Sequence, residues 1–400
     1  MRFKTTWLIF LTTLTLIMTG VVMVYSSSAA SAARGITRKA MENFDATDTT
    51  AILQMSTHSM KYLERQAVFA MLGIIALLIT YNVDYERYKK YASPLLAVAF
   101  VMLLMVYLPP PIGDSAKGAK RWLNLGVASI QVSELAKLAM ILYMAKKLTE
   151  RRNELKSFIR GFLPSFAILA AFLGVIVLEP DLGAAVMMAA IVYIMWYISG
   201  MRVTHLLSLG LAFIPAVIIA ILAEPYRIQR IVAFRKPFDA DYIKSSGWQL
   251  SQSLISVGTG GLTGLGLGKG PQKYQFLSEG HTDFIYAGIC EEFGMAGAIA
   301  ILLVYAVFMI QGIRVATKAP DMYGSLIATG ISIMIGFQAF VNMYIVVGLL
   351  PTKGLTLPLI SYGGSSLVIN CVAIGILMNI SRYTEIASAV PARKSAGTTA

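Results

Sequence analysis

Long apolar runs separated by short polar segments dominate the pattern of this 400-residue chain. Several of the runs are about 18 to 25 residues long, enough for an α-helix to cross a hydrocarbon core of about 30 Å. They lie at 7–26, 66–82, 93–108, 132–147, 161–178, 182–200, 205–223, 283–312, 322–349 and 358–380. The alternation of apolar and polar residues that is typical of a membrane β-barrel is absent from the sequence. The pattern therefore predicts an all-α integral membrane protein with about ten transmembrane helices.

The polar segments divide the chain into one membrane domain with a large loop and a tail. The single polytopic domain is predicted at 1–386, and the loop at 224–282 separates the seventh and eighth spans. The tail at 387–400 is rich in small and polar residues, so we expect it to be disordered. The first apolar run is long for the hydrophobic region of a signal peptide, which favours a retained helix over a cleaved signal peptide.

Composition supports the membrane assignment and narrows the classes of partner. Hydrophobic residues make up 56% of the chain and charged residues 14%, whereas soluble domains average about a quarter charged residues. The mean hydropathy is +0.67. The formal net charge of +13 is spread along the chain and not gathered in one basic face, so nucleic acid is not an expected partner. Cys290 and Cys371 lie in apolar spans and are predicted to be small core residues.

The orientation in the membrane follows from the short loops. An even number of spans puts both termini on the same side. The segment Lys146 to Arg160 is short and basic, so it is predicted to stay in the cytoplasm with both termini. The total count of basic residues does not decide the topology, because a loop as long as 224–282 crosses a membrane largely regardless of its charge. The loop is then predicted to be extracytoplasmic.

The large loop has an excess of basic residues. Its seven cations are Arg227, Arg230, Arg235, Lys236, Lys244, Lys269 and Lys273, against four acids. This excess suits an anionic partner such as a pyrophosphate or a lipid headgroup, and a solvated loop with interfacial arginines is the alternative. Of these residues, we expect Arg227, Arg230, Lys269 and Lys273 to be candidates for substrate binding.

A glycine-rich run, VGTGGLTGLGLGKG at Val257–Gly270, resembles a phosphate-binding loop but lacks its essential residues. A Walker A motif needs a glycine where Thr263 stands and a serine or threonine where Gly270 stands, and no β-strand is predicted before it. The run is instead predicted to be backbone that can approach another surface closely. Contact with a bulky substrate and a plain re-entrant turn both fit this pattern.

Charged residues also lie inside or beside predicted spans. Glu134 and Lys137 are three residues apart, hence on one helix face, where we expect them to pair with each other or with a neighbour. Asp181 lies between the fifth and sixth spans, near the outer interface. Arg121 and Trp122 precede the fourth span, and the tryptophan can equally be an interfacial anchor.

The stretch SEGHTDFIYAGICEEFG carries His281, Thr282 and Asp283 where the large loop meets the eighth span. Thr282 or Asp283 would make a good N-cap for that helix. A carboxylate beside basic residues could also accept a proton from a sugar hydroxyl while the cations stabilise a departing pyrophosphate. Glu291 and Glu292 lie about 80° and 180° round the helix from Asp283, so we expect them to bind neighbouring helices or to line a wet cavity.

The segment LLPTKGLTLPLISYGGSS, at 349–366, interrupts the apolar pattern between the last two spans. It contains two prolines and three glycines. Irregular backbone at membrane depth is tolerated only where protein or water covers it. The segment is therefore predicted to be a buried loop or broken helix facing a cavity, with a tight turn and a kinked helix as the alternative.

Three blocks together resemble the SEDS family (shape, elongation, division and sporulation) of peptidoglycan polymerases. They are KRWLNLG…QVSELAKL, QKYQFLSEGHTDFIYAGICEEFG and LPTKGLTLPLISYGGSS, in this order. PTKGLTLP is closer to the division (FtsW-like) and sporulation members than to the elongation member. The resemblance implies ten helices, a large outer loop between helices 7 and 8, and Asp283 as the catalytic residue. It also implies importance for Arg121, Trp122, Glu134, Lys137, Asp181 and the block Ser361–Ser366, including Ser361 and Ser365.

The function expected from this resemblance is polymerisation of glycan strands from lipid II in the bacterial cytoplasmic (inner) membrane. Asp283 would be the general base in an inverting transfer with undecaprenyl pyrophosphate as the leaving group, and His281 and Thr282 would bind substrate beside it. A divalent cation (Mg or Mn) is a candidate cofactor. Membrane lipids, divisome proteins and a class B penicillin-binding protein are the expected partners. A lipid II flippase and a scaffold that recruits division enzymes are the alternatives.

Overall fold

A computed structural model of the chain describes residues 4–42, 49–108, 113–116, 119–124, 129–179, 181–272 and 280–389. Within these ranges most residues are helical, as the apolar runs predict. The helices are α1 Lys4–Glu42, α2 Thr49–Asn82, α3 Arg87–Met105, α4 Val132–Glu150, α5 Leu163–Leu178, α6 Leu182–Ile198, α7 Val203–Leu222, α8 Pro225–Arg235, α9 Trp248–Gly260, α10 Ile285–Lys318, α11 Met322–Ser332, α12 Gln338–Val346 and α13 Gly364–Ala389. π-helical turns at Phe158–Phe162 and Ile333–Phe337 precede α5 and α12.

Seven stretches in the described ranges are long and apolar enough to cross a membrane. They are Lys4–Ser28, Met60–Asn82, Tyr85–Met105, Phe158–Leu178, Ile285–Lys318, Met322–Val346 and Gly364–Ile386. Helix α6 is apolar but shorter, and α4 and α7 cover most of the predicted fourth and seventh spans. The loop predicted at 224–282 contains the helices α8 and α9. Of the predicted tail at 387–400, the first three residues continue α13, and 390–400 lie outside the described residues.

The all-α prediction omits a small antiparallel sheet between α3 and α4. Its strands are β1 Gly113–Ala116, β2 Ala119–Asn124 and β3 Ser129–Gln131, in the order β1-β2-β3. Strands of three to six residues are too short for a clear two-residue alternation, which is why the sequence pattern does not reveal them. Strand β3 leads directly into α4. The backbone N–H of Gln131 donates to Ser365 Oγ at 3.2 Å, so the sheet is tied to the start of α13.

The core is a bundle in which α2 packs against α1 and α13, while α4 packs against α3 and α11. Helix α4 is buried along most of its length, from Val132 to Leu148. In an apolar 18-residue window of each of the last two candidate spans, Met322–Val346 and Gly364–Ile386, 72% of the residues are buried. The corresponding share is 22% for Met60–Asn82 and for Ile285–Lys318. The central helices therefore surround the residues described below, and the outer helices present apolar side chains to their surroundings.

Helix α10 is broken at Gly294, whose φ of 64° lies in the left-handed region. In an unbroken helix the N–H groups of Met295 and Ala296 would donate to the carbonyls of Glu291 and Glu292. Instead they donate to Gly261 O at 2.9 Å and Leu262 O at 3.1 Å. The vacated carbonyls of Glu291 and Glu292 accept from the N–H groups of residues 265 and 266, each at 3.0 Å. The glycine-rich run thus replaces the two lost helical bonds with four others.

Close approach explains two glycines of that run. A β-carbon on Gly260 would lie 1.9 Å from Cys290 O, and one on Gly264 would lie 2.1 Å from Glu292 O. Gly264 also has a φ of 80°, which side-chain-bearing residues rarely adopt. The prediction of a close backbone approach is confirmed, and the surface approached is α10 of the same chain.

Candidate active site

Asp283 lies in a turn at 280–284, immediately before α10. The N-cap position belongs to Phe284, which makes no side-chain capping bond, so the interpretation of Thr282 or Asp283 as the N-cap is wrong. The side chains of His281, Thr282 and Asp283 are all half-buried. The acid is therefore partly accessible.

Three consecutive carbonyls of this turn are held by the segments that follow α11. His281 O accepts from the backbone N–H of Tyr362 at 2.9 Å. Thr282 O accepts from Ser361 Oγ at 2.6 Å, and Asp283 O accepts from Asn342 Nδ2 at 2.8 Å. Because the carbonyls of His281, Thr282 and Asp283 are all fixed, the direction of the backbone that carries the Asp283 side chain is fixed as well.

The segment at 351–363 has no helix or strand and is largely buried, as the prediction of a buried irregular loop requires. Its carbonyls are satisfied by side chains from neighbouring helices. Gln338 Nε2 donates to Thr356 O at 3.1 Å, Asn342 Nδ2 donates to Leu355 O at 2.5 Å, and the Tyr305 hydroxyl donates to Pro358 O. The Ser361 hydroxyl accepts from the N–H of Leu357 at 2.8 Å. These bonds let irregular backbone persist inside an apolar bundle.

Glu134 and Lys137 form the predicted ion pair. Lys137 Nζ lies 2.8 Å from Glu134 Oε1, and the side chains are only 1% and 6% exposed. The same ammonium donates to Gln338 Oε1 at 2.6 Å. The pair thus orients Gln338, whose amide nitrogen then faces the carbonyl of Thr356. A buried charge pair with an added hydrogen bond avoids the cost of an uncompensated charge.

Three aromatic rings meet beside the turn. The Tyr62 ring centroid is 5.8 Å from that of His281 and 5.1 Å from that of Tyr362, and the His281 and Tyr362 centroids are 5.9 Å apart. Tyr62 belongs to α2, so the cluster connects the turn to a helix far away in sequence. His281 was predicted from the sequence and Tyr362 lies in the predicted block Ser361–Ser366. Tyr62 was not predicted, since it precedes the predicted second span and belongs to no motif.

Cations lie on α8 and in the irregular segment. The guanidinium groups of Arg227 and Arg230 lie 5.5 Å and 5.8 Å from the centroid of the Tyr226 ring. Burial lowers the pKa of Lys353, with the positive charge of Arg227 acting in the same direction and the carboxylate of Asp181 opposing it. Lys353 is therefore electrostatically coupled to Asp181 and Arg227. Sequence reasoning missed Lys353. The feature that could have revealed it is a single lysine within the irregular segment.

The other candidate residues lie on elements outside the Asp283 turn. Asp181 Oδ1 accepts from the N–H of Ala184 at 3.1 Å and so caps α6. Ser365 joins the sheet through Gln131, the residue paired with the half-buried Trp122, and Arg121 precedes Trp122 in β2. Lys269 is exposed, and Lys273 lies outside the described residues.

Glu291 and Glu292 are buried and contact different partners. Glu291 Oε1 accepts from the N–H of Gln272 at 2.9 Å, whereas Glu292 Oε1 accepts from Ser26 Oγ on α1 at 2.7 Å. The prediction that they bind neighbouring helices is confirmed for Glu292, and the partner of Glu291 is Gln272 of the large loop. Gly270 makes room for Glu291, because a β-carbon there would lie 2.5 Å from Glu291 Oε2.

No group of three or more His, Cys, Asp or Glu side chains that could hold a metal occurs among the described residues. These residues therefore do not form a protein-only metal cage, and the predicted divalent cation stays a prediction.

The bundle, its candidate spans and the half-buried acid in a fixed turn define a polytopic membrane protein with a polar site. The chain belongs to the FtsW, RodA and SpoVE family of cell cycle proteins, whose family model matches residues 6–386. The family resemblance seen in the sequence is thereby confirmed.

Two relatives cover most of the chain. A protein of Geobacter sp. (strain M18), named "Probable peptidoglycan glycosyltransferase FtsW", is 41% identical over 90% of this chain and 92% of its own length. Stage V sporulation protein E of Bacillus subtilis (strain 168) is 39% identical over 94% of this chain and 97% of its own length.

Solved structures have the same fold. One, described as "Structural coordination of polymerization and crosslinking by a peptidoglycan synthase complex", matches with a TM-score of 0.67 and 26% identity, over 91% of this chain and 97% of that chain. The rod shape determining protein RodA of Thermus thermophilus matches with a TM-score of 0.64 and 24% identity, over 94% and 96% of the two chains, and this likeness concerns the fold alone.

Proposed function

We propose that this chain is a peptidoglycan glycosyltransferase that polymerises glycan strands from lipid II during cell division. Family membership and the names of the relatives support the class of reaction. The observation that carries the proposal for this site is the Asp283 turn, in which three consecutive carbonyls are fixed while the acid itself is only half-buried. A general base needs this combination of fixed backbone and access to substrate.

In the proposed reaction, the 4-hydroxyl oxygen of the acceptor sugar attacks the anomeric carbon of the donor sugar. The bond from that carbon to the pyrophosphate oxygen breaks, and its electron pair leaves with undecaprenyl pyrophosphate. The carboxylate of Asp283 accepts the hydroxyl proton as the new bond forms. Displacement from the face opposite the leaving group inverts the configuration of the anomeric carbon.

Cations that contact the leaving group would stabilise the negative charge that develops on it. Arg227 and Arg230 on α8 remain candidates, together with Lys269 and Lys273 further along the large loop. Lys353 joins them because its charge is coupled to Arg227. A divalent cation held by substrate phosphates would supply further positive charge, and the proposed steps do not depend on it.

The proposed arrangement in the membrane has ten helices, both termini in the cytoplasm and the large loop outside. The basic segment Lys146–Arg160, between α4 and α5, supports the orientation. Both substrates are lipids, so the site must be reached sideways from the bilayer. A class B penicillin-binding protein is the proposed partner. One structural neighbour is a peptidoglycan synthase complex in which polymerisation and crosslinking are coordinated, which supports a partner of this kind.

The test is to purify the wild type, Asp283→Asn and Asp241→Asn with a partner transpeptidase and to supply labelled lipid II. Asp241 is an exposed acid of the same large loop and serves as the matched control. We expect glycan strands from the wild type and from Asp241→Asn, and none from Asp283→Asn.

Each alternative has its own outcome in this experiment. Polymer from Asp283→Asn at the wild-type rate would remove the base assignment. Absence of polymer from the wild type, with lipid II moved across liposome membranes, would favour the flippase. Absence of both polymerisation and lipid II transport would leave the scaffold that recruits division enzymes as the remaining alternative.

A further inference from the structure

Asn342 is a buried amide in α12 that joins two separate pieces of irregular backbone. The residue is only 1% exposed. Its Nδ2 donates to Asp283 O at 2.8 Å and to Leu355 O at 2.5 Å. Both partners are carbonyl oxygens, which can only accept, so the NH₂ end of the amide must face them. One side chain thus uses both of its N–H bonds to hold the Asp283 turn against the irregular segment.

The geometry of α12 places a second amide on the same face. Gln338 and Asn342 are four residues apart, and they donate to the adjacent carbonyls of Thr356 and Leu355. The π-helical turn Ile333–Phe337 ends immediately before Gln338, at the change in helical register. Because the Lys137 ammonium fixes the orientation of Gln338, the irregular segment is held firmly where Asn342 contacts it.

We propose that Asn342 is a positioning residue for the transfer reaction, acting through the Asp283 turn without touching substrate. The inference rests on the proposed function. Loss of the amide would leave the carbonyls of Asp283 and Leu355 without this donor and would let the turn move. A shift of about 1 Å in a reacting group can cost about 100-fold in rate. Substrate binding should change little, since Arg227, Arg230 and Lys269 lie on other segments. The irregular segment, which carries Lys353, keeps its bonds from Gln338 and Tyr305.

The chain offers a closely matched control. Asn379 is also buried, at 2% exposure, and its Nδ2 donates to a backbone carbonyl, Tyr81 O, at 2.7 Å. Its contacts join α13 to the end of α2 and include no residue of the Asp283 turn. Asn342→Leu and Asn379→Leu each remove a buried amide of the same type, so comparing them separates a general loss of stability from a loss of positioning.

The experiment measures kcat and KM for lipid II polymerisation by the wild type, Asn342→Leu, Asn342→Asp and Asn379→Leu, each with the partner transpeptidase. We expect kcat to fall about 100-fold in both Asn342 variants, with KM within about twofold of the wild type. In Asn379→Leu we expect kcat to stay within about twofold. Equal loss of kcat in the Asn342 and Asn379 variants, or a change confined to KM, would overturn the proposal.

Hydrogen–deuterium exchange supplies a readout that does not depend on activity or on survival at high temperature. We expect amides in the peptide covering 281–286 to exchange about tenfold faster in Asn342→Leu and Asn342→Asp, and at the wild-type rate in Asn379→Leu. If the wild type makes no glycan, the proposed function fails, and this exchange pattern still decides whether Asn342 holds the turn. Unchanged exchange at 281–286 would contradict the inference even if all variants were active.

Discussion

The break in α10 at Gly294 and the Asp283 turn that precedes the helix are stabilised in different ways. At Gly294 the broken helix is repaired by four backbone–backbone hydrogen bonds with the glycine-rich run. The two backbones can approach because glycines stand at the closest points, Gly260 and Gly264 on the run and Gly294 on the helix. At the Asp283 turn, two of three consecutive carbonyls are held by side chains, Asn342 and Ser361. The first contact depends on the absence of side chains, and the second depends on the presence of particular ones.

The contact inside α10 and the contact just before it therefore have different roles. Backbone pairing at Gly294 fixes where the large loop docks, and it tolerates no added atom. Side-chain donors at the turn fix the orientation of one acid, and their removal leaves space instead of a clash. Substitutions at the break should therefore lower stability first, and substitutions at the turn should lower activity first.

The largest effect on stability is expected at the buried ion pair Glu134–Lys137, which contacts Gln338. Lys137→Met leaves Glu134 as an uncompensated buried charge and should lower the free energy of unfolding by about 3–5 kcal/mol. The control is Glu154→Gln in the exposed pair Arg151–Glu154, whose charged atoms are 3.7 Å apart. It should change stability by less than about 0.5 kcal/mol. Thermal unfolding in detergent measures both variants, and equal effects would contradict the role of the pair.

At the Gly294 break, Gly264→Ala should cost about 3 kcal/mol or more, since it combines a φ of 80° with a clash against Glu292 O. Gly268→Ala is the control, because Gly268 has a φ of 82° with no atom within 4 Å of an added β-carbon. It should cost only the conformational part, about 1–2 kcal/mol. A similar loss in both variants would show that close approach is not what selects glycine at 264.

At the turn itself, Ser361→Ala removes the donor to Thr282 O and should cost about 1–3 kcal/mol in stability. We also expect a fall of about tenfold in the polymerisation rate, because the backbone carrying Asp283 loses one anchor. Ser253→Ala is matched, since the fully buried Ser253 Oγ donates to Val346 O at 2.7 Å. It should lose similar stability at unchanged rate, and an equal loss of rate would contradict the comparison.

The smallest effect concerns Lys353. Burial lowers its pKa, so as pH rises it loses its positive charge earlier than an exposed lysine does. If this charge helps to hold the leaving group, KM for lipid II should rise with pH in the wild type and stay flatter in Lys353→Arg, which keeps its charge. Lys244→Arg, at an exposed loop lysine, should follow the wild type. Parallel KM–pH curves for Lys353→Arg and the wild type would exclude this role.

The fold was largely predictable because hydrophobicity over long runs is a local signal. The pairing of Glu134 with Lys137 was predictable for the same reason, since it depends on a spacing of three residues along one helix. The sheet was missed because its strands are short. The break at Gly294 was missed because a single glycine inside an apolar run has no distinctive local pattern, and the partner that repairs it lies in a distant glycine-rich loop.

Within the candidate site, sequence reasoning proposed Asp283 as the acid but did not predict the side chains that hold its turn. Asn342 and Gln338 are single polar residues in an apolar span, and only the fold brings them to the carbonyls of the irregular segment. The N-cap hypothesis for Thr282 and Asp283 was wrong because the turn continues through Phe284, whose backbone is not helical, before α10 begins. At this helix end, long-range donors hold the turn and Phe284 occupies the N-cap position.

The most direct measurement is the rate of glycan polymerisation at saturating lipid II for Asp283→Asn, with lipid II affinity determined on the same preparation. We predict a rate at least about 1,000-fold below that of the wild type, with affinity within a few-fold, because the substitution removes only the proton acceptor. A variant that polymerises within tenfold of the wild-type rate while binding lipid II normally would contradict the assignment of Asp283 as the base.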